Sequence, residues 1–196
     1  MDFSNLIVDK TWYQRYRPQS VKDIILPAAM KKELLGYVED GFVPSLLLAG
    51  QTGTGKSSIA HALMKDIGAD YMTLNSSMYG DIDTVRTSVM QFASTVSLLD
   101  SDHKYIIFEE ADGITPRAFE AIRVVFEEFS NNCSFILTAN RINKIPVEVQ
   151  GRCIKYDMVI PKAEKSRIAS EMFVRVTKIL ENEGITSVSY THLTLP

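Results

Sequence analysis

Cysteine is scarce in this sequence: Cys133 and Cys153 are the only two among 196 residues. Two thiols cannot build a disulfide framework, and their spacing is not that of metal ligands. A reducing compartment suits such a chain. Long apolar runs are missing as well. Leu46-Leu47-Leu48-Ala49 falls far short of the roughly 20 residues a membrane-spanning helix needs. The opening Met1-Asp2-Phe3-Ser4 has no basic region ahead of an apolar stretch, so no secretory leader is expected and a cytoplasmic location is. Strong charge of one sign is also absent, with 21 basic against 24 acidic residues and a net charge of −3. Such a balance provides no global field for nucleic acid, and any DNA contact has to come from a local basic surface. Internal repeats and low-complexity segments are not visible. What is present is an ordinary globular composition, 45% hydrophobic and 23% charged, which excludes disorder as a global description.

Short apolar runs alternate with helical patterns. The runs are 45–49, 71–74, 105–108, 135–138 and 154–156, and the first, bounded by Pro44 and Gly50, suits a strand buried on both faces. Helical periodicity predicts helices over 28–38, 57–67 and 81–98. Another follows Pro116, with Phe119, Ile122, Phe126 and Phe129 on one face. The alternation indicates an α/β domain with a parallel five-stranded sheet flanked by helices, over residues 1–160. After Pro161 a further helical pattern, 162–182, carries Ile168, Met172 and Ile179 on one side. One helix cannot bury that face, so residues 161–187 are expected to begin a helical lid domain, most of which lies outside this chain. Residues 188–196, Val-Ser-Tyr-Thr-His-Leu-Thr-Leu-Pro, resemble a translated sequencing adapter and are expected to be a non-native tail.

The strongest motif is Gly50-Gln51-Thr52-Gly53-Thr54-Gly55-Lys56-Ser57, which fits G-x-x-x-x-G-K-[ST], the Walker A phosphate loop. Glycines let the backbone fold so that successive N–H groups face phosphate oxygens. The helix that follows offers its free amides and positive dipole end to the same anion. Lys56 is expected to reach the β- and γ-phosphates, Ser57 to ligate Mg2+, and Ser58 to complete the nucleotide cradle. A second motif is the strand Tyr105-Ile106-Ile107-Phe108 ending in Glu109-Glu110. At the C-terminal edge of a parallel sheet these acids face the nucleotide crevice. Glu109 is expected to hold Mg2+ through water and Glu110 to orient the attacking water. Asp112 lies close enough in sequence to share the metal. His61, on the helix after the loop, is given no role.

With these motifs in this order, the chain resembles the AAA+ ATPases and, within them, the sliding-clamp loaders. The likeness is nearest to the large subunit of T-even-type phage loaders, with the replication factor C small subunits as cousins. It covers about residues 12–184. Arg15-Tyr16-Arg17-Pro18 is similar to the family's Tyr-Arg-Pro element, which implies that Tyr16 and Arg17 lie near the adenine. Tyr16 and Trp12 by themselves suit packing better than base stacking. Asn75-Ser76-Ser77 and Asp81-Ile82-Asp83-Thr84-Val85-Arg86 match the second strand and next helix. Phe135-Ile136-Leu137-Thr138-Ala139-Asn140 matches the sensor-1 strand, implying that Asn140 reaches the γ-phosphate or its water. Gln150-Gly151-Arg152-Cys153 matches the arginine-finger element, with Gly151 in place of the family's Ser. Arg152 then acts on nucleotide held by a neighbouring subunit.

The resemblance implies an ATPase that uses ATP and Mg2+ to load a sliding clamp on primer–template DNA. The partners are the other clamp-loader subunits, and the location is the host cytoplasm if the protein is phage-encoded. One residue departs from the pattern. The family usually has Asp before Glu, and here Glu109 stands first. The extra methylene moves the carboxylate by roughly 1.5 Å, and misplacements near 1 Å can cost on the order of 10²-fold in rate. The alternatives are therefore an ATP-binding regulatory subunit with little hydrolysis, or another AAA+ DNA machine such as a helicase or helicase loader. Arg86 and Arg123 match family arginines. Arg123 either contacts DNA or a neighbour, or pairs along its helix with Glu120 and Glu127.

Overall fold

The computed structural model describes residues 11–75, 82–95 and 103–185, without the side chains of 82–86. The tail expected at 188–196, Ser76, Ser77 and the Arg86 side chain lie outside that description. In chain order the elements are α1 (Trp12–Arg15), α2 (Ala28–Asp40), β1 (Leu46–Ala49), α3 (Lys56–Asp66), β2 (Asp70–Asn75), α4 (Ile82–Ser94), β3 (Lys104–Glu109), α5 (Pro116–Glu128), β4 (Cys133–Ala139), α6 (Val147–Gln150), β5 (Ile154–Asp157) and α7 (Lys165–Asn182).

The chain divides into two units. The larger is Pro18–Ile24 with Ala28–Val159, and the smaller joins Met1–Arg17, Ile25–Pro27 and Ile160–Pro196. The N-terminal aromatic segment thus groups with α7 rather than with the sheet.

All five strands of the larger unit are parallel, in the order β2-β3-β4-β1-β5. Every residue of β1 and of β4 is buried, as expected for central strands of a sheet covered on both faces. β5 is an edge strand, and only Tyr156 on it is buried. Registers Leu48↔Thr138 and Ala49↔Ala139 bring the ends of β1 and β4 level. The apolar face of α5, formed by Phe119, Ile122, Val125 and Phe126, is buried. Phe126 stacks on Phe135 of β4 with ring centroids 3.7 Å apart. Thr115 caps α5 by accepting from the Ala118 amide, and Pro116 occupies the first turn. Lys104 is buried at the start of β3, its Nζ donating to the Phe92 carbonyl (3.0 Å) and to Thr95 Oγ1 (2.6 Å). A buried cation needs such partners.

In the smaller unit, Arg15 and the Tyr16 hydroxyl both donate to Glu183 Oε1, at 2.6 and 2.7 Å. Arg175 donates to the Tyr16 carbonyl (3.0 Å) and Arg167 to the Leu26 carbonyl (2.9 Å). The face of α7 read from its spacing is only partly exposed. Ile168 is buried, Ile179 half-buried and Met172 exposed.

Candidate nucleotide site

The link from β1 to α3 is a six-residue loop, 50–55, tied down at both ends. The Gly50 amide donates to the Ala139 carbonyl of β4 (3.1 Å). Thr54 Oγ1 donates back to the Gln51 carbonyl (2.9 Å). Two positions demand glycine. A Cβ on Gly50 would sit 2.7 Å from Cβ of Met158. Gly55, just before α3, has φ 90°, in the left-handed region that other residues rarely adopt. No side chain caps α3, so its first-turn amides are left for an anion. Lys56 is buried, and its Nζ donates to the Gly50 (2.8 Å) and Gln51 (2.7 Å) carbonyls. Burial lowers its pKa below the usual lysine value, and the negative charge of Asp112 opposes that shift.

A cavity of about 300 Å³ opens over this loop. Thr52, Gly53, Gly55, Lys56, Ser57 and Ser58 form one wall, and Glu110, Thr138, Ala139 and Asn140 form the other. Parallel α/β sheets place ligands in this kind of crevice, at the carboxyl ends of the strands. Gly50, Gln51 and Thr54 serve the geometry of the loop itself.

The two acids at the end of β3 part company. Glu110 takes φ 54°, ψ 43° and is the one non-glycine with positive φ among the described residues. A left-handed residue of this kind costs about 1–2 kcal/mol. It is held there from both sides. Its amide donates to Thr138 Oγ1 (3.1 Å), and its carbonyl accepts from the Gly113 amide (2.8 Å). The turn sends Glu110 into the cavity wall. Glu109, still on the strand, has Oε1 3.3 Å from Nε2 of His61 on α3. It is not part of the cavity wall.

Asp112 is buried, and its carboxylate is used structurally. Oδ1 accepts from the Asn140 amide (3.0 Å), and Oδ2 lies 3.4 Å from Nε of Arg141. It braces the end of β4 and so positions Asn140. Arg152 does not line the cavity of its own chain. It donates to the Glu148 carbonyl (2.7 Å) and pairs with Glu127 Oε1 (2.5 Å), beside a second hollow of about 420 Å³. Glu127 is thus paired with Arg152, not with Arg123. Tyr16 and Arg17 belong to the other unit, where the Tyr16 hydroxyl is committed to Glu183. Burial pushes the Cys133 and Cys153 thiols up to about 12, so neither is a nucleophile at neutral pH.

The donor set suits Mg2+. Among the described residues no group of three or more His, Cys, Asp or Glu could hold a metal unaided. Mg2+ needs no such cage, since it binds through one or two protein oxygens together with substrate phosphates. The Ser57 hydroxyl on the cavity wall and the nearby carboxylates are oxygen donors of that kind. Sequence reasoning missed His61, Thr138 and the bracing role of Asp112. Only His61 left a signal, since it lies four residues after Ser57 and therefore on the same face of α3.

A parallel sheet with a glycine loop between its inner strand β1 and a helix, facing an acidic strand end, defines a P-loop nucleoside-triphosphatase fold. The chain belongs to the AAA ATPases: the model of the ATPase family associated with various cellular activities matches residues 46–160. Among curated relatives, it is 34% identical to the replication factor C small subunit of Methanococcus maripaludis over 93% of this chain and 60% of the relative. Against the small subunit of Thermofilum pendens it is also 34% identical, over 91% of this chain and 54% of that one. The chain thus spans between half and three-fifths of the length of these relatives. Among solved structures, the Holliday junction branch migration motor RuvB of Thermotoga maritima superposes with a TM-score of 0.65. It is 18% identical, covering 84% of this chain and 55% of that one, a likeness of fold alone. No helix among the described residues is long and apolar enough to cross a membrane.

Proposed function

We propose that this protein is an ATPase subunit of a DNA sliding-clamp loader, acting with other loader subunits, the clamp and primer–template DNA during replication. One observation carries the nucleotide chemistry: Lys56, Ser57, Glu110 and Asn140 line one cavity above a glycine loop. The likeness to replication factor C small subunits supports the setting. The loop amides and Lys56 bind the β- and γ-phosphates of ATP. Mg2+, held by Ser57 and through water by Glu109, would neutralise phosphate charge when bound. Glu110 accepts a hydrogen bond from the attacking water and orients it in line with the γ-phosphate. Asn140 steadies the same water or the γ-phosphate from the opposite wall. Arg152 serves the nucleotide of a neighbouring subunit. The host cytoplasm of a phage infection is the proposed location.

The test is ATP turnover by the purified loader complex with clamp and primed DNA. Stimulation by both ligands is expected. Lys56→Ala should abolish nucleotide binding. Glu110→Gln should keep binding and lose on the order of 10²-fold or more in turnover. Turnover indifferent to clamp and DNA would overturn the proposal. A second reading, ATP binding with little hydrolysis, is favoured by Glu109, which stands where the family usually has Asp and contacts His61. It predicts tight ATP binding without turnover, and turnover restored by Glu109→Asp.

A further inference from the structure

Two hydrogen bonds join the turn after β3 to the end of β4, and they run in opposite directions. The Glu110 amide donates to Thr138 Oγ1 of β4 (3.1 Å). The Asn140 amide donates to Asp112 Oδ1 in the turn (3.0 Å). Each side supplies one backbone amide and one side-chain oxygen. The register between β3 and β4 stops at Phe108↔Leu137, just before the chain bends through left-handed Glu110. The two side-chain bonds carry the join onward from there. Both oxygens come from buried residues, where a hydrogen bond is stronger than on an open surface. Both amides belong to residues that line the nucleotide cavity, Glu110 and Asn140. Asp112 itself is not part of the cavity wall. Its position in the sequence suggested a share in the metal, but its oxygens are turned to Asn140 and Arg141.

We infer that Thr138 and Asp112 are positioning residues that form one reciprocal clasp, fixing how Glu110 and Asn140 stand relative to each other in the cavity. Their role in turnover rests on the nucleotide site proposed above. Cutting either bond lets the two strand ends part, so either loss misplaces both side chains. A displacement near 1 Å can cost on the order of 10²-fold in rate. The glycine loop and Lys56 hold phosphate without the clasp, so affinity should change far less. The negative charge of Asp112 also acts on Lys56. Asp112→Asn separates the two roles, since it removes the charge and keeps an acceptor oxygen for the Asn140 amide. The Arg141 side chain, 63% exposed, can turn to solvent away from the new amide.

Amide hydrogen exchange of the full chain, followed residue by residue by NMR without nucleotide, tests the clasp directly. Thr138→Val cuts only the bond to Glu110, yet exchange should quicken on the order of tenfold at both Glu110 and Asn140. Asp112→Ala should do the same from the other side, and Asp112→Asn should restore most of the protection. The amide of Leu47, wholly buried in β1, reports general loosening and should not change. In the loader complex, Thr138→Val and Asp112→Ala should lower kcat by about tenfold or more while ATP affinity stays within about threefold. Asp112→Asn should recover most of that kcat. Quickening confined to the amide whose own bond was cut, or matched at Leu47, overturns the inference. So does an Asp112→Asn variant as slow in turnover as Asp112→Ala. If Asp112→Ala does not fold, Thr138→Val decides by the Asn140 amide alone. No ATP turnover by the parent complex overturns the proposed function, and the exchange rates still decide the clasp.

Discussion

At the scale of single residues, Gly50 and Thr138 do work that no motif announces. Any side chain at position 50 meets Met158, whose Cβ would be 2.7 Å away and whose backbone 3.4 Å. Backbone cannot rotate aside as a flexible side chain can. Gly50→Ala is therefore expected to lower unfolding stability by about 1–3 kcal/mol, read from the urea midpoint, and to weaken nucleotide binding. An unchanged midpoint would show that the strand ends can separate freely. Thr138 is nearly isosteric with Val, so Thr138→Val removes only the hydroxyl that receives the Glu110 amide. That leaves a donor without its partner, worth about 1–3 kcal/mol where it is buried, and releases one restraint on the left-handed Glu110. Turnover should fall more than nucleotide affinity does. Equal losses in both would point to a general loosening of the site. The phosphate loop was readable because its chemistry is contiguous: eight successive residues state their own geometry. The Glu109–His61 and Glu110–Thr138 contacts were not readable, because each depends on which faces of distant elements meet.

At the scale of elements, α5 is seated on β4 through stacked rings. Phe126 is almost wholly buried and stacked on Phe135, so Phe126→Ala should cost about 3–5 kcal/mol. Thr115→Ala removes the cap of the same helix and should cost about 1 kcal/mol. Calorimetry on the two variants checks the ordering, and a larger loss from the cap would contradict it. Local pattern served well here. The apolar runs 45–49 and 135–138 became the buried strands β1 and β4, and the spacing of Phe119, Ile122 and Phe126 became the buried face of α5. Pattern served less well on α7, where spacing alone could not tell Ile168, which is buried, from Met172, which is exposed.

At the scale of the whole molecule, the N-terminal segment and α7 make a unit of their own. That grouping was invisible in the sequence, because residues 12–17 have no period and the partners of Arg15 and Tyr16 lie 168 and 167 positions away. The unit carries its own pH response. Hydrogen bonds from Tyr16, then Arg15, hold the Glu183 carboxyl below its ordinary value of 4.5. A group lowered in the folded state stabilises it above the unfolded value, and that support is lost as pH falls through the folded value. Trp12, the single tryptophan, neighbours Glu183 and helps to hold its carboxyl down. Its fluorescence should therefore change only at pH below 4.5, in a step that Glu183→Gln removes. A step persisting in that variant would assign it to another acid.

Cys133 is shut away in β4, and both thiols resist ionisation until about pH 12. At neutral pH the native protein should thus be blind to maleimide dyes. A single cysteine introduced at any exposed position would then accept one fluorophore, without first removing the two natural ones.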